Sequence, residues 1–324
     1  MNARLVFFRQ FRGLFPLIAV ASLGAAFVAP ARGQLYVATW NTGVNDGTIG
    51  EYTSSGSVMN PSLITGLNQP DGLASDGTGD LFVANMDAIG EYKTSGATVN
   101  SALVPVGWGN GVVADGKGHL FVGNWATGVI GEYTTSGTPI NASFITGLKF
   151  PTGLALDGNG HLFVANETGG TIGEYSTSGA VINATLISGL ANPMSMALDG
   201  KGDLFVVNYG LSFSDGSIGE YTTSGATVNA SLVSGLDRPY GIALDGLGDI
   251  FESNPGADTV GEYTTSGTVV NSQLITGLAD PSGLAYVPTS VPERPSFLVS
   301  CGLLIPLILF ACLRRKPTAL AAAR

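Results

Sequence analysis

The sequence predicts an all-β fold, a six-bladed β-propeller of four-stranded antiparallel blades, and three observations predict it. Gly-Glu-Tyr recurs with its glutamates at Glu51, Glu91, Glu132, Glu174, Glu220 and Glu262, in steps of 40, 41, 42, 46 and 42 residues. A period in that range marks one supersecondary unit that is copied and becomes stable only when stacked on its neighbours. Each unit holds four short apolar runs, at 153–156, 162–165, 171–175 and 181–187 in the clearest copy, separated by Gly, Asn, Asp and Ser. Short β-branched and aromatic runs bounded by such residues read as strands and turns, and four per unit make a propeller blade.

The third observation is a count of strands. The Leu-Phe-Val type strand starts at Leu35, Leu81, Leu120, Leu162, Leu204 and Ile250, and the Gly-Leu-Ala type strand starts at Gly72, Gly111, Gly153, Ser195, Gly241 and Gly283. The first copy lacks the strand that should precede Leu35, and the last unit ends in one without followers. If that terminal strand fills the vacancy, the ring closes at six with no open edge between its ends. The Asp that ends the other five copies (Asp76, Asp115, Asp157, Asp199, Asp245) is Val287 here, because no turn needs to follow.

The remaining segments follow in chain order. Residues 1–33 carry Arg4, Arg9 and Arg12, an apolar run over 14–28 and small residues at cleavage spacing, the pattern of a secretory signal peptide. Residues 34–287 form the propeller. Residues 288–296 are a Pro-rich linker. Residues 297–313 are an apolar run of 17, followed at once by Arg314, Arg315 and Lys316 in a basic tail over 314–324. The run is long enough for a short transmembrane helix, and its basic flank predicts a cytoplasmic end.

Composition narrows the function. The chain has 14 basic and 24 acidic residues, but nine of the basic ones lie outside the repeats. The propeller itself has five basic residues against 23 acidic ones, a net charge of −18. Such a surface repels phosphate backbones, which excludes nucleic acid and anionic headgroups as natural ligands. Both cysteines, Cys301 and Cys312, lie in the C-terminal apolar run, so the repeats hold neither disulfide nor thiol chemistry.

The repeat Pro-x-Gly-Leu-Ala-Leu-Asp-Gly-x-Gly-x-Leu-Phe-Val-Ala-Asn resembles the NHL-type repeat and virginiamycin B lyase-like propellers over about residues 34–287. That resemblance implies the propeller fold, and for activity it spans binders, lactonases and lyases. The stretch Val291, Pro292, Glu293, Arg294, Pro295, with the apolar run and the Arg314–Arg315 pair, looks like a PEP-CTERM sorting signal, although Arg294 stands where a second proline usually follows the glutamate. It implies signal peptidase and exosortase as partners during export, a membrane-anchored intermediate, and delivery to the cell surface or extracellular matrix. An ordinary C-terminal anchor is the alternative.

No assembled catalytic site is legible. The lyase-like relatives place histidines around a divalent metal, whereas His119 and His161 occupy a turn position that Asp80, Asp203 and Asp249 fill in other copies. The six repeated glutamates read as blade-building residues with Ser, Thr or backbone partners, and Asn85, Asn124, Asn166, Asn208 and Asn254 as openers of their own turns.

One face of the disc carries the unchanging Asp-Gly-x-Gly and Ser-Gly turns, and the opposite face carries connections that vary. Residues that break a repeat are released from building it and become candidates for recognition. Trp40, Asp71, Trp108, Asn110, Trp125, Glu167, Tyr209, Arg238 and Tyr240 are the expected ligand contacts, and Glu252 is also assigned to that face. Asp71, Asn110, Thr152, Met194, Tyr240 and Ser282 should ring the channel mouth. Aromatics beside carboxylates suit sugar rings or cationic groups, so the expected function is a recognition or structural module for carbohydrate or a protein partner, with no cofactor. The alternative is a lactonase-like hydrolase in which Asp71, Asn110 and neighbouring carboxylates hold one Ca²⁺.

Overall fold

The computed structural model describes residues 33–289 apart from 42 and 44. The expected signal peptide, the expected sorting motif, the apolar run and the basic tail all lie outside the described residues. Among the described residues no helix is long and apolar enough to cross a membrane.

Six four-stranded antiparallel sheets are arranged as blades. In blade 4, for example, the innermost strand is Pro151–Leu156, followed outward by His161–Asn166, Thr171–Ser176 and Val181–Ser188. Blade 1 is completed as expected: Pro281–Val287 pairs with Gln34–Thr39, with Leu35 opposite Tyr286 and Tyr36 opposite Ala285.

Alternation along the second strand of each blade builds the core. Leu162 and Val164 pack with Phe121 and Ile130 of blade 3, while Phe163 and Ala165 pack with Leu204 and Val206 of blade 5. Side chains of opposite parity thus join neighbouring blades, as the period of two requires. Phe82, Phe121, Phe163, Phe205 and Phe251 are fully buried in this way, with Tyr36 as the blade 1 equivalent.

Glycine allows the inner strands to converge on the axis. A Cβ on Gly111 would collide with the Thr152 carbonyl oxygen of blade 4, and one on Gly283 with the Asp71 carbonyl oxygen of blade 2. Only a residue without a side chain fits such an approach.

The turn face is held by repeated side-chain caps. Asp157 Oδ1 accepts the N–H groups of Asn159 (2.7 Å) and His161 (3.0 Å), and Asp115 accepts those of Lys117 (2.7 Å) and His119 (2.9 Å). These Asx caps explain Asp-Gly-x-Gly.

Three expectations need correction. The histidines begin strands rather than sit within turns, and they bind repeat glutamates: His119 Nδ1 lies 2.9 Å from Glu132 Oε1, and His161 Nδ1 lies 3.4 Å from Glu174 Oε1. These partners replace the expected Ser, Thr or backbone groups, because strand pairing brings the two side chains together. Glu252 is not on the loop face. It sits inside the strand Asp249–Asn254, fully buried, where the other full copies carry valine. The asparagines ending the second strands do not all cap their own turns. Asn124 Oδ1 does accept the Thr127 N–H, but Asn166 Oδ1 accepts the N–H of Lys149, which ties down the preceding connection.

Candidate functional site

The variable face holds a cavity of about 450 Å³, within the range usual for small-molecule sites. Three repeat positions supply nearly all of its lining. The residue after the asparagine, or after Thr39 in blade 1, at the end of each second strand contributes Trp40, Met86, Trp125, Glu167, Tyr209 and Pro255. The residue two before the inner-strand glycine, or before Ser195 in blade 5, is a proline or Gly109. The residue ahead of that one contributes Gln69, Trp108, Asn192, Arg238 and Asp280. The residue just before that glycine or serine supplies the floor: Asp71, Asn110, Met194 and Tyr240.

All nine residues that the sequence singled out therefore meet in one cavity. Of the six expected at the channel mouth, Thr152 and Ser282 turn away. Their hydroxyls donate to the carbonyl oxygens of Pro193 (2.9 Å) and Pro70 (2.5 Å), and both residues are buried. A small hydroxyl satisfied by the next blade's backbone becomes part of the wall. Gln69, Asn192, Pro255 and Asp280 were missed. Their signal was available, because each fills the same repeat position as a residue that was chosen.

The floor is a hydrogen-bonded triad across the axis. Tyr240 donates to Asp71 Oδ1 (3.0 Å), and the Asn110 amide lies 3.4 Å from Asp71 Oδ2 and 3.2 Å from the Tyr240 hydroxyl. Burial raises the Asp71 carboxyl to about 7, against hydrogen bonding from Tyr240 and Trp40 that lowers it. Asp71 lines the cavity floor and is only partly exposed. Burial also raises the Tyr240 phenol well above its ordinary value, and the Asp71 charge adds to this. Below the triad lies a narrow space of about 90 Å³ between the inner strands.

One wall is aromatic. The Trp125 ring centroid is 6.1 Å from that of Trp108 and 4.4 Å from that of Phe150, and the Trp125 indole N–H donates to Glu167 Oε2 at 2.8 Å. Trp40 meets Tyr240 edge to face at 5.5 Å. On the far side the Arg238 guanidinium lies 5.0 Å from the centre of the Phe213 ring, and its Nε donates to Asp237 at 3.3 Å. Asp71, Glu167 and Arg238 are thus each engaged by a neighbour.

The chemistry implied by the two enzyme resemblances fits poorly. His119 and His161 lie on the turn face, away from the cavity, so they cannot form a lyase-type metal site there. Among the described residues no three His, Cys, Asp or Glu side chains group closely enough to hold a metal. The floor offers one carboxylate and one amide where Ca²⁺ takes six to eight oxygens.

Several solved structures share the fold. A chain of a nidogen/laminin complex aligns with a TM-score of 0.64 at 13% identity, covering 79% of this chain and 98% of that one. A streptogramin B lyase aligns at 0.56 and 19% identity, covering 79% and 95%. A gluconolactonase from Xanthomonas campestris aligns at 0.56 and 14% identity, covering 69% and 84%. No curated protein matches the sequence. The virginiamycin B lyase family matches residues 19–291, which take in the whole propeller, and the chain belongs to that family.

Proposed function

We propose that this protein is an exported recognition module that binds carbohydrate, with a protein partner as the other ligand class, through the cavity on its variable face. The observation that carries the reading is the convergence of all three tryptophans with Asp71, Asn110, Glu167, Tyr209, Arg238 and Tyr240 on one cavity. Flat aromatic surfaces beside fixed polar groups suit the apolar face and hydroxyl edge of a sugar ring. Signal peptidase and exosortase would process the two ends, and the module would reach the cell surface or matrix after a membrane-anchored stage.

A glycan array tests the reading directly. Wild-type protein should retain a defined set of glycans, and Trp125→Ala should lose them. Retention of the same set by Trp125→Ala would count against the site.

The second reading is a lactonase-like hydrolase. It is favoured by Asp71, a floor carboxyl close to neutrality and so able to exchange a proton at physiological pH. Turnover of aldonolactones that Asp71→Asn abolishes would support it, as would a marked rise in melting temperature with millimolar Ca²⁺. A flat response in both would remove it.

A further inference from the structure

The residue ahead of each proline, or ahead of Gly109 in blade 3, has a left-handed backbone in all six blades. These residues are Asp280 (φ 49°), Gln69 (47°), Trp108 (62°), Phe150 (55°), Asn192 (53°) and Arg238 (59°), in order around the ring. In four of the blades the backbone has a shared reason for this conformation, and in blades 2 and 6 the bond shifts to the carbonyl one residue earlier, of Asn68 and Asp237. The carbonyls of Asp280, Trp108, Phe150 and Asn192 accept the N–H groups of Trp40, Trp125, Glu167 and Tyr209 at 3.0–3.1 Å, which pins the two top connections of a blade together.

The side chains have no such shared reason. Asp and Asn tolerate positive φ, whereas bulky side chains adopt it only at a cost in strain. Three of the six are Trp108, Phe150 and Arg238, with Trp108 51% exposed and Phe150 37% exposed, so burial does not compensate. A repeat that holds the backbone constant while the side chain varies, against local preference, has left that position to recognition. Around the ring the order acid, amide, indole, phenyl, amide, guanidinium sets two aromatics opposite two charged groups.

We infer that these left-handed rim residues select the ligand, Gln69, Trp108, Asn192, Arg238 and Asp280 from the cavity wall and Phe150 through its contact with Trp125, and that they select an uncharged saccharide with one apolar ring face and one polar edge. The inference rests on the carbohydrate reading above. The ring face lies on Trp108 and on Trp125, which Phe150 backs at 4.4 Å, and the hydroxyl edge meets Arg238 and Asp280, which together offer donors and acceptors. An anionic sugar meets the repulsion of the whole disc, and Asp71, Glu167 and Arg238 Nε already hold partners within the protein, which leaves the terminal N–H groups of Arg238 and the Asp280 carboxylate to sugar hydroxyls.

The test uses the full-length protein with neutral, uronic acid and amino-sugar oligosaccharides, and the variants Trp108→Asn, Phe150→Asn and Arg238→Asn. Asparagine already occupies this backbone in blade 5, so each variant should keep or raise the melting temperature. Where one falls, the Gly variant at that position takes its place. Trp108→Asn and Phe150→Asn should weaken the best neutral glycan at least tenfold, and Arg238→Asn should reorder glycans that differ in hydroxyl configuration. Unchanged affinity and ranking in all three would overturn the inference while the carbohydrate reading stands. A wild-type preference for uronate or amine chains would overturn the ligand class, and binding of no glycan would overturn both readings.

Discussion

At the scale of single residues, Glu252 departs furthest from its repeat. Its carboxyl is fully buried and neither oxygen meets a protein donor. It faces Tyr263 and the apolar seam with blade 5, where Ile250, Val207 and Ile242 pack. Burial raises it from 4.5 to about 8. A carboxyl raised in the folded state holds its proton longer there than in the unfolded chain, so its contribution is fully present below about pH 4.5 and is lost as pH rises through about 8. The loss is on the order of 3–5 kcal/mol. Glu252→Val, which restores the repeat residue, should melt higher than wild type at pH 9 and converge with it near pH 4. Equal melting temperatures across that range would refute the protonated carboxyl.

At the scale of the element, the outer strands face an association hazard. None of the six carries a charged residue, and Val58, Val181, Val228 and Val269 are more than half exposed, the profile of an edge open to another chain. Each strand instead has an asparagine whose Oδ1 takes the N–H two residues on, as Asn183 does with Thr185 (3.1 Å) and Asn141 with Ser143 (3.1 Å). That donor is thereby withdrawn from strand pairing, and the register shifts on either side, between Ile172 and Glu174 and between Glu174 and Tyr175 in blade 4, interrupt the edge. The double variant Asn141→Ala/Asn183→Ala should aggregate faster than wild type by light scattering at equal concentration. Asn183→Lys, which protects the edge by charge, should not. Inner strands have the opposite constraint, and Gly283→Val should destabilise the ring by several kcal/mol through collision with blade 2.

At the scale of the whole molecule, closure and presentation come from one contact. Gln34 faces Val287, and the Gly33 N–H donates to the Tyr286 hydroxyl at 2.7 Å, so the chain joins and leaves the ring on the turn face, opposite the cavity. Protein immobilised through residue 289 should therefore bind ligand as well as free protein does, while a chain ending at Asp280 should lose the cooperative thermal transition, because blade 1 would keep three strands and two open edges. A sharp transition in that truncated chain would show that closure is dispensable.

The repeat made the ring count, the strand order and nine of the residues that line the cavity legible, since a copied unit exposes both its builders and its exceptions. The inward turn of Thr152 and Ser282, the burial of Glu252 and the left-handed rim were not legible. Each depends on how close the next blade approaches and on which way a backbone carbonyl points. Periodicity along the chain records which residues alternate. Only packing around the axis decides what an alternating residue meets there: a neighbouring blade, its own turn, or the open cavity.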